Sequence, residues 1–134
     1  MPPQDIDAEI SVLGSLMLDH EAIFRVADAL AVHDFYKSSH REIYEAITDL
    51  FTRREPVDVL SVGSRLKEKG KLDDVGGSAY LASLVNAVPT ASHIEHYASI
   101  VRRKRLLRDL IAASSHIAKL GYQEADNVEE LIDE

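Results

Sequence analysis

The sequence predicts an all-α fold: a small orthogonal helical head, then a long helix forming the first arm of a truncated helical hairpin. Two observations carry this prediction. Apolar residues recur three and four places apart in one stretch after another, and no stretch alternates apolar with polar residues long enough to make a strand. The run from Ser92 to Leu120 contains neither Pro nor Gly, and as a helix rising 1.5 Å per residue it would extend roughly 40 Å. Links between the helical stretches are short, about two to eight residues, as helix–helix connections are.

Pro2 and Pro3 form an extended lead-in. Asp5 or Asp7 then caps a helix carrying Ile6, Ile10, Leu13 and Met17. A second short helix is predicted with Ile23, Val26, Ala27 and Leu30 on one side. Val32 to Tyr36 has no period and reads as a connection with aromatic plugs. Ser39-His40-Arg41-Glu42 has the form of a capping box, opening a helix with Ile43, Ile47, Leu50 and Phe51 on its apolar stripe. Glu55-Pro56-Val57-Asp58 ends that helix. Asp58 caps the next, which uses Val59, Val62 and Leu66 and stops at Gly70, because glycine enters the left-handed region freely. Leu72 to Gly77 is a tight turn, and a fifth helix carries Tyr80, Leu81, Leu84 and Val85. Ser92 and Glu95 make a second capping box at the start of the long helix.

The long helix has apolar residues on two sides. Ile94, Tyr97, Ala98 and Val101 share one face and are placed to close the head. At about 100° per residue, Leu106, Leu107, Leu110, Ile111, Ala113, Ile117 and Leu120 fall on roughly the opposite face. The chain therefore divides into a head (1–91) and a hairpin (92–134). Gly121 is expected to end the first arm, and Asn127 to cap a returning segment with Val128, Leu131 and Ile132. That segment is too short to cover the face, so the chain reads as a fragment of a longer protein. An open apolar face of this length is an interface, for a second hairpin or for a partner's helix.

Composition excludes several function classes. With 46% apolar and 28% charged residues the chain folds rather than staying disordered. It has no cysteine, so neither disulfides nor thiolate chemistry are available. The start lacks the basic and apolar regions of a secretion signal, and no run approaches the ~18 apolar residues of a membrane span. A soluble cytoplasmic domain is the expectation. The net charge of −8 opposes a general nucleic-acid coat. Against that background Arg102, Arg103, Lys104, Arg105 and Arg108 stand out: they are a phosphate-contacting face or a solvated, ion-pairing one, and no aromatic residues interleave with them as a single-strand platform requires. His93 and His96 have helical spacing around Glu95, but no third or fourth ligand accompanies them. Gly76-Gly77 lacks the Lys-Ser/Thr of a phosphate-binding loop, and no nucleophile elbow is present. No catalytic, metal or cofactor site emerges.

A family resemblance runs through almost the whole chain. Pro2-Pro3-Gln4-x-Ile6-x-Ala8-Glu9-x-x-Val12-Leu13-Gly14 resembles the opening of DnaB-family bacterial replicative helicases. The similarity continues in order through Asp34-Phe35-Tyr36, His40, Ile43-Tyr44, Pro56-Val57-Asp58, Leu72-x-x-Val75-Gly76-Gly77-x-x-Tyr80-Leu81 and Val88-Pro89-Thr90-Ala91. It ends with Tyr97-Ala98-x-Ile100-Val101 and Leu107-Arg108-x-Leu110-Ile111.

The resemblance implies the amino-terminal collar domain of a hexameric helicase. In that family the hairpins pair, six domains form a trimer of dimers, and the collar receives the C-terminal helicase-binding domain of primase during DNA replication. A helicase loader is a further candidate partner. The 5′–3′ motor domain, with its ATP, Mg and principal DNA contacts, is not part of this chain. By the same resemblance Tyr80, Leu107, Leu110, Ile111, Ile117 and Leu120 fall on the partner or oligomer surface, Tyr80 reading equally as a core aromatic with its hydroxyl at the surface. The alternative function is a single-stranded DNA-binding module using the 102–108 basic run.

Overall fold

The computed structural model describes residues 1–123 and Ile132. Among them the chain forms five α-helices and no strand: α1 (Ile6–Leu18), α2 (Ser38–Thr52), α3 (Val59–Glu68), α4 (Gly77–Asn86) and α5 (Ile94–Tyr122). Short 3-10 turns occupy Ala22–Arg25 and Val32–Asp34. None of these helices is long and apolar enough to cross a membrane.

α1 is the centre of the head, touching α2, α4 and α5. Asp5 caps it, its carboxylate accepting the Ala8 N–H at 2.9 Å. The predicted stripe of Ile6, Ile10, Leu13 and Met17 is only part of the buried surface. Every residue from Val12 to Met17 is buried, because α2, α4 and α5 flank that stretch of the helix, while Ile6 and Ile10 are half-buried. Gly14 makes the crossing with α4 possible: a Cβ there would stand 2.1 Å from the Leu84 carbonyl oxygen.

The predicted second helix is not continuous. Ala22–Arg25 is a 3-10 turn and further turns follow it. Ile23, Val26 and Leu30 are nonetheless buried, so the spacing reported burial correctly and regularity incorrectly. α2 and α3 bury Ile43, Ile47 and Leu50 against Val62 and Leu66. Asp58 caps α3 as predicted, accepting the Ser61 N–H at 2.8 Å, while the Ser61 hydroxyl accepts the Asp58 N–H at 3.0 Å. Gly70 follows α3 at φ 69°, its N–H bonded to Lys67 and that of Lys71 to Leu66.

Both predicted capping boxes fail. Thr90, not Ser92, supplies the hydroxyl before α5, accepting the Ser92 N–H at 3.2 Å, and the helix begins two residues later, at Ile94. α2 begins at Ser38 with no cap from its own chain neighbourhood. The Ser39 hydroxyl is shielded from solvent and finds no partner among the described residues. A carboxylate from α1 instead holds the backbone just ahead of α2, as described below.

In α5, Ile94, Ala98 and Val101 are buried and Tyr97 is half-buried against the same core. No residue from Arg102 to Gln123 is buried. The helix runs through Gly121 to Tyr122 instead of stopping before the glycine, and Gln123 is its C-cap. The predicted return segment at Asn127, Val128 and Leu131 lies outside the described residues; Ile132 is exposed.

Candidate partner-docking site

Three features of the surface are set by the way α5 leaves the head. The first is its apolar face. Leu106, Leu110, Ile111 and Ile117 are 53%, 64%, 52% and 67% exposed, Leu107 is exposed less, and Leu120 is half-buried. Leu106, Leu110, Ala113, Ile117 and Leu120 follow one another four, three, four and three residues apart, the period of a coiled-coil seam. Leu107 and Ile111 widen the seam on one flank. Full burial of one such side chain is worth roughly 1.5–3 kcal/mol, so an uncovered row of this size favours association.

The second feature is the basic run. The aperiodic stretch His33 to Tyr36 leaves four consecutive backbone carbonyls outside any ladder, and each accepts from an arginine. Arg41 donates to Phe35 (3.0 Å) and Tyr36 (2.8 Å), Arg105 to His33, and Arg108 to Asp34 (2.9 Å). Arg108 also donates to the Pro3 carbonyl at 2.8 Å and lies over the Tyr36 ring at 5.3 Å. Arg102 approaches the buried Asp34 carboxylate at 3.6 Å, and Arg105 pairs with Asp109 at 2.8 Å. Arg102, Arg105 and Arg108 are thus spaced three apart on the side of α5 that faces the head, and they fasten it there. Arg103 is exposed and Lys104 half-buried.

The third feature is a buried polar chain from α1 to the surface. Glu9 (1% exposed) accepts the Tyr36 N–H at 2.7 Å and the Lys37 N–H at 3.4 Å, tying the backbone that leads into α2 to α1. His40 (fully buried) places Nδ1 2.8 Å from Glu9 Oε1 and Nε2 2.6 Å from the Tyr80 hydroxyl. Lys37 Nζ donates to that hydroxyl at 3.3 Å and sits 4.8 Å from the Tyr80 ring centre. The Tyr80 ring lies nearly parallel to that of His40, centroids 5.9 Å apart, and its Cβ lies against Gly76, at φ 107°. Tyr80 is therefore a half-buried ring with its oxygen at the surface.

Glu9, His40 and Lys37 were not identified as site residues from sequence. A signal existed: His40 occupies the same stripe of α2 as Ile43, Tyr44 and Ile47, and an apolar stripe that contains a histidine requires buried partners for its ring nitrogens. Among the described residues no cluster of three or more metal-ligating side chains occurs, and His93 and His96 stay apart from any such group.

The family model described as "DnaB-like helicase N terminal domain" matches residues 1–103. Among curated relatives, the replicative DNA helicase DnaC of Bacillus subtilis (strain 168) is 45% identical over the whole chain, and the replicative DNA helicase DnaB of Mycobacterium leprae is 42% identical over 98% of it. The chain spans about 30% and 22% of those two proteins. The crystal structure of the N-terminal domain of DnaB helicase from Mycobacterium tuberculosis superposes with a TM-score of 0.94 at 43% identity, covering 99% of this chain and 94% of that one. A DnaB-like replicative helicase described together with its interactions with primase superposes with a TM-score of 0.76 at 28% identity, over 86% of this chain and 27% of that one. The all-helical head, the projecting α5 and these matches lead to one conclusion: the chain belongs to the DnaB-like helicase N-terminal domain family.

Proposed function

We propose that this chain is the non-catalytic collar domain of a hexameric replicative helicase, which pairs with a second copy through its α5 seam and docks the C-terminal helicase-binding domain of primase. The observation that carries this reading is the exposed row Leu106, Leu110, Ile111, Ile117 and Leu120, projecting from a head whose own core is already closed. The similarity to a helicase studied with primase supports the choice of partner. ATP hydrolysis, Mg and translocation on DNA belong, in this reading, to a motor domain carried by the parent protein.

The alternative, a single-stranded DNA module using Arg102 to Arg108, is disfavoured because Arg102, Arg105 and Arg108 direct their donors at the head: their charge remains, but not the free N–H groups that would grip phosphates. Light scattering on a sizing column, with and without the primase domain, tests the main reading. The double variant Ile111→Ser/Ile117→Ser is expected to shift the chain toward monomer and to weaken primase binding by roughly 1–3 kcal/mol per anchor lost. Equal mass and equal primase affinity for both forms would overturn it. Appreciable affinity for single-stranded DNA that falls steeply with salt would favour the alternative.

A further inference from the structure

The Glu9–His40–Tyr80 chain is closed inside the head and open at one end, where it holds a cation. Glu9 receives two backbone N–H groups, so its carboxylate acts as an acceptor and the His40 Nδ1 facing it is a donor. In the neutral imidazole Nε2 is then the acceptor, and the Tyr80 O–H points inward at it across 2.6 Å. The outward lone pair of the phenol oxygen accepts from Lys37, whose ammonium also lies over the ring. Each link removes freedom from the next, and the last one is an exposed lysine.

Two of the four lysines of the head hold a side-chain partner through the ammonium, and the partners differ in charge. Lys69 is neutralised by Glu45 at 3.0 Å and Asp49 at 3.6 Å. Lys37 has no carboxylate within ion-pair distance among the described residues, and only the neutral phenol oxygen holds it. It stands at the rim of a groove of about 860 Å³ between the 33–38 segment and α5, which is also lined by Arg41, Arg105 and Arg108, with Asp109 as the one acidic lining residue. In a chain of net charge −8 this is a local positive field on the head-facing side of α5.

We propose that Lys37 is the docking point for a carboxylate of the primase domain, and that Glu9 and His40 are positioning residues that hold it ready through Tyr80. This rests on the reading that the domain docks primase. The physical gain is preorganisation: a free lysine loses its rotamer freedom when it pairs, whereas one already fixed by a phenol and a buried imidazole loses little. The adjoining groove steers an acidic segment to the same edge.

The test measures the affinity of the purified chain for the primase domain across a salt series, with Lys37→Gln, Tyr80→Phe and His40→Gln. Thermal melts confirm that each variant is folded, and Tyr80→Phe, which keeps the ring, serves if His40→Gln is not. Lys37→Gln is expected to weaken binding about three- to fivefold at low salt and to flatten the salt dependence. His40→Gln and Tyr80→Phe are expected to weaken binding in the wild-type background but to add nothing once Lys37 is gone, because they act through it. Two-bond proton–nitrogen correlation spectra are expected to show His40 with Nδ1 protonated and Nε2 bare, and the Nε2 signal should move in Tyr80→Phe. The proposal falls if Lys37→Gln binds as tightly as wild type while Ile111→Ser/Ile117→Ser does not, an outcome that leaves primase docking intact. It also falls if the His40 and Tyr80 changes cost as much without Lys37 as with it, or if His40 carries its proton on Nε2. Failure of the wild-type chain to bind the primase domain overturns the docking reading itself.

Discussion

Replacing Gly14 with alanine tests the packing of the head at its tightest point. The added Cβ would meet the Leu84 carbonyl oxygen at 2.1 Å, the Leu84 carbonyl carbon at 2.9 Å and Val88 Cγ2 at 2.6 Å. Two of these three atoms are backbone, so no rotamer change relieves them, and α4 must move away from α1 by about 1 Å to restore ordinary contact. Overpacking of a rigid core costs about 1–3 kcal/mol, and a backbone obstacle puts this case at the upper end. Alanine in mid-helix returns about 1 kcal/mol through its higher helix propensity. The net loss is therefore about 2 kcal/mol, a fall in Tm of roughly 6–10 °C for a domain of this size. Far-UV circular dichroism melts measure it, with Gly63→Ala as the control. There the new Cβ would meet Leu81 Cδ1 and the Ser78 hydroxyl at 3.7 Å, an ordinary distance. Gly63→Ala should be neutral or stabilising by up to about 1 kcal/mol. A Gly14→Ala chain that melts with or above wild type would refute the close α1–α4 crossing.

Three further outcomes follow from single residues. Arg54 ends α2 in the left-handed region at φ 60°, with the Glu55 N–H bonded to Leu50 as Lys71 is to Leu66 beside Gly70; Arg54→Gly should stabilise by about 0.5–1 kcal/mol in urea unfolding. Burial, and secondarily the Asp34 carboxylate, push the Tyr44 hydroxyl up to about 12 from its ordinary 10. The folded state then holds a proton that the unfolded state releases, so the contribution is intact below pH 10 and is lost on rising from 10 to 12, by about 1.4 kcal/mol per pH unit. Tyr44→Phe should remove that slope from a series of melts against pH. Arg108→Ala should cost about 1–2 kcal/mol by leaving the Pro3 and Asp34 carbonyls without their donor, and Arg108→Lys should not restore it because one ammonium lacks the two-pronged reach.

What the sequence made legible was whatever a local pattern decides. Asp58 capped its helix because the Ser61 hydroxyl and N–H that complete the box lie within one turn. The change of face along the long helix was readable because helical period alone puts Ile94, Ala98 and Val101 opposite Leu106, Leu110 and Ile117. Ser39 failed as a cap although its pattern was as good as that of Asp58. The helix begins ahead of it, at Ser38, where Glu9, a residue far away in the chain, accepts the N–H groups of Tyr36 and Lys37, and no local rule anticipates that. The basic run misled for the same reason. Its partners are the carbonyls of His33, Asp34 and Pro3, and backbone acceptors carry no signature in a sequence.

The arginine fastening of α5 has a mechanical consequence. Beyond Arg108 the helix continues to Tyr122, roughly 21 Å at 1.5 Å per residue, with no further attachment to the head among the described residues. It behaves as a cantilever whose pivot is a handful of guanidinium–carbonyl bonds. A tilt of about 10° at the pivot would sweep the tip sideways by roughly 4 Å over that length, enough to take one seam residue out of register with its counterpart. In the proposed pairing, the accuracy with which two such arms meet is therefore set at their root, by Pro3, His33 and Asp34, as much as by the leucines and isoleucines along their length.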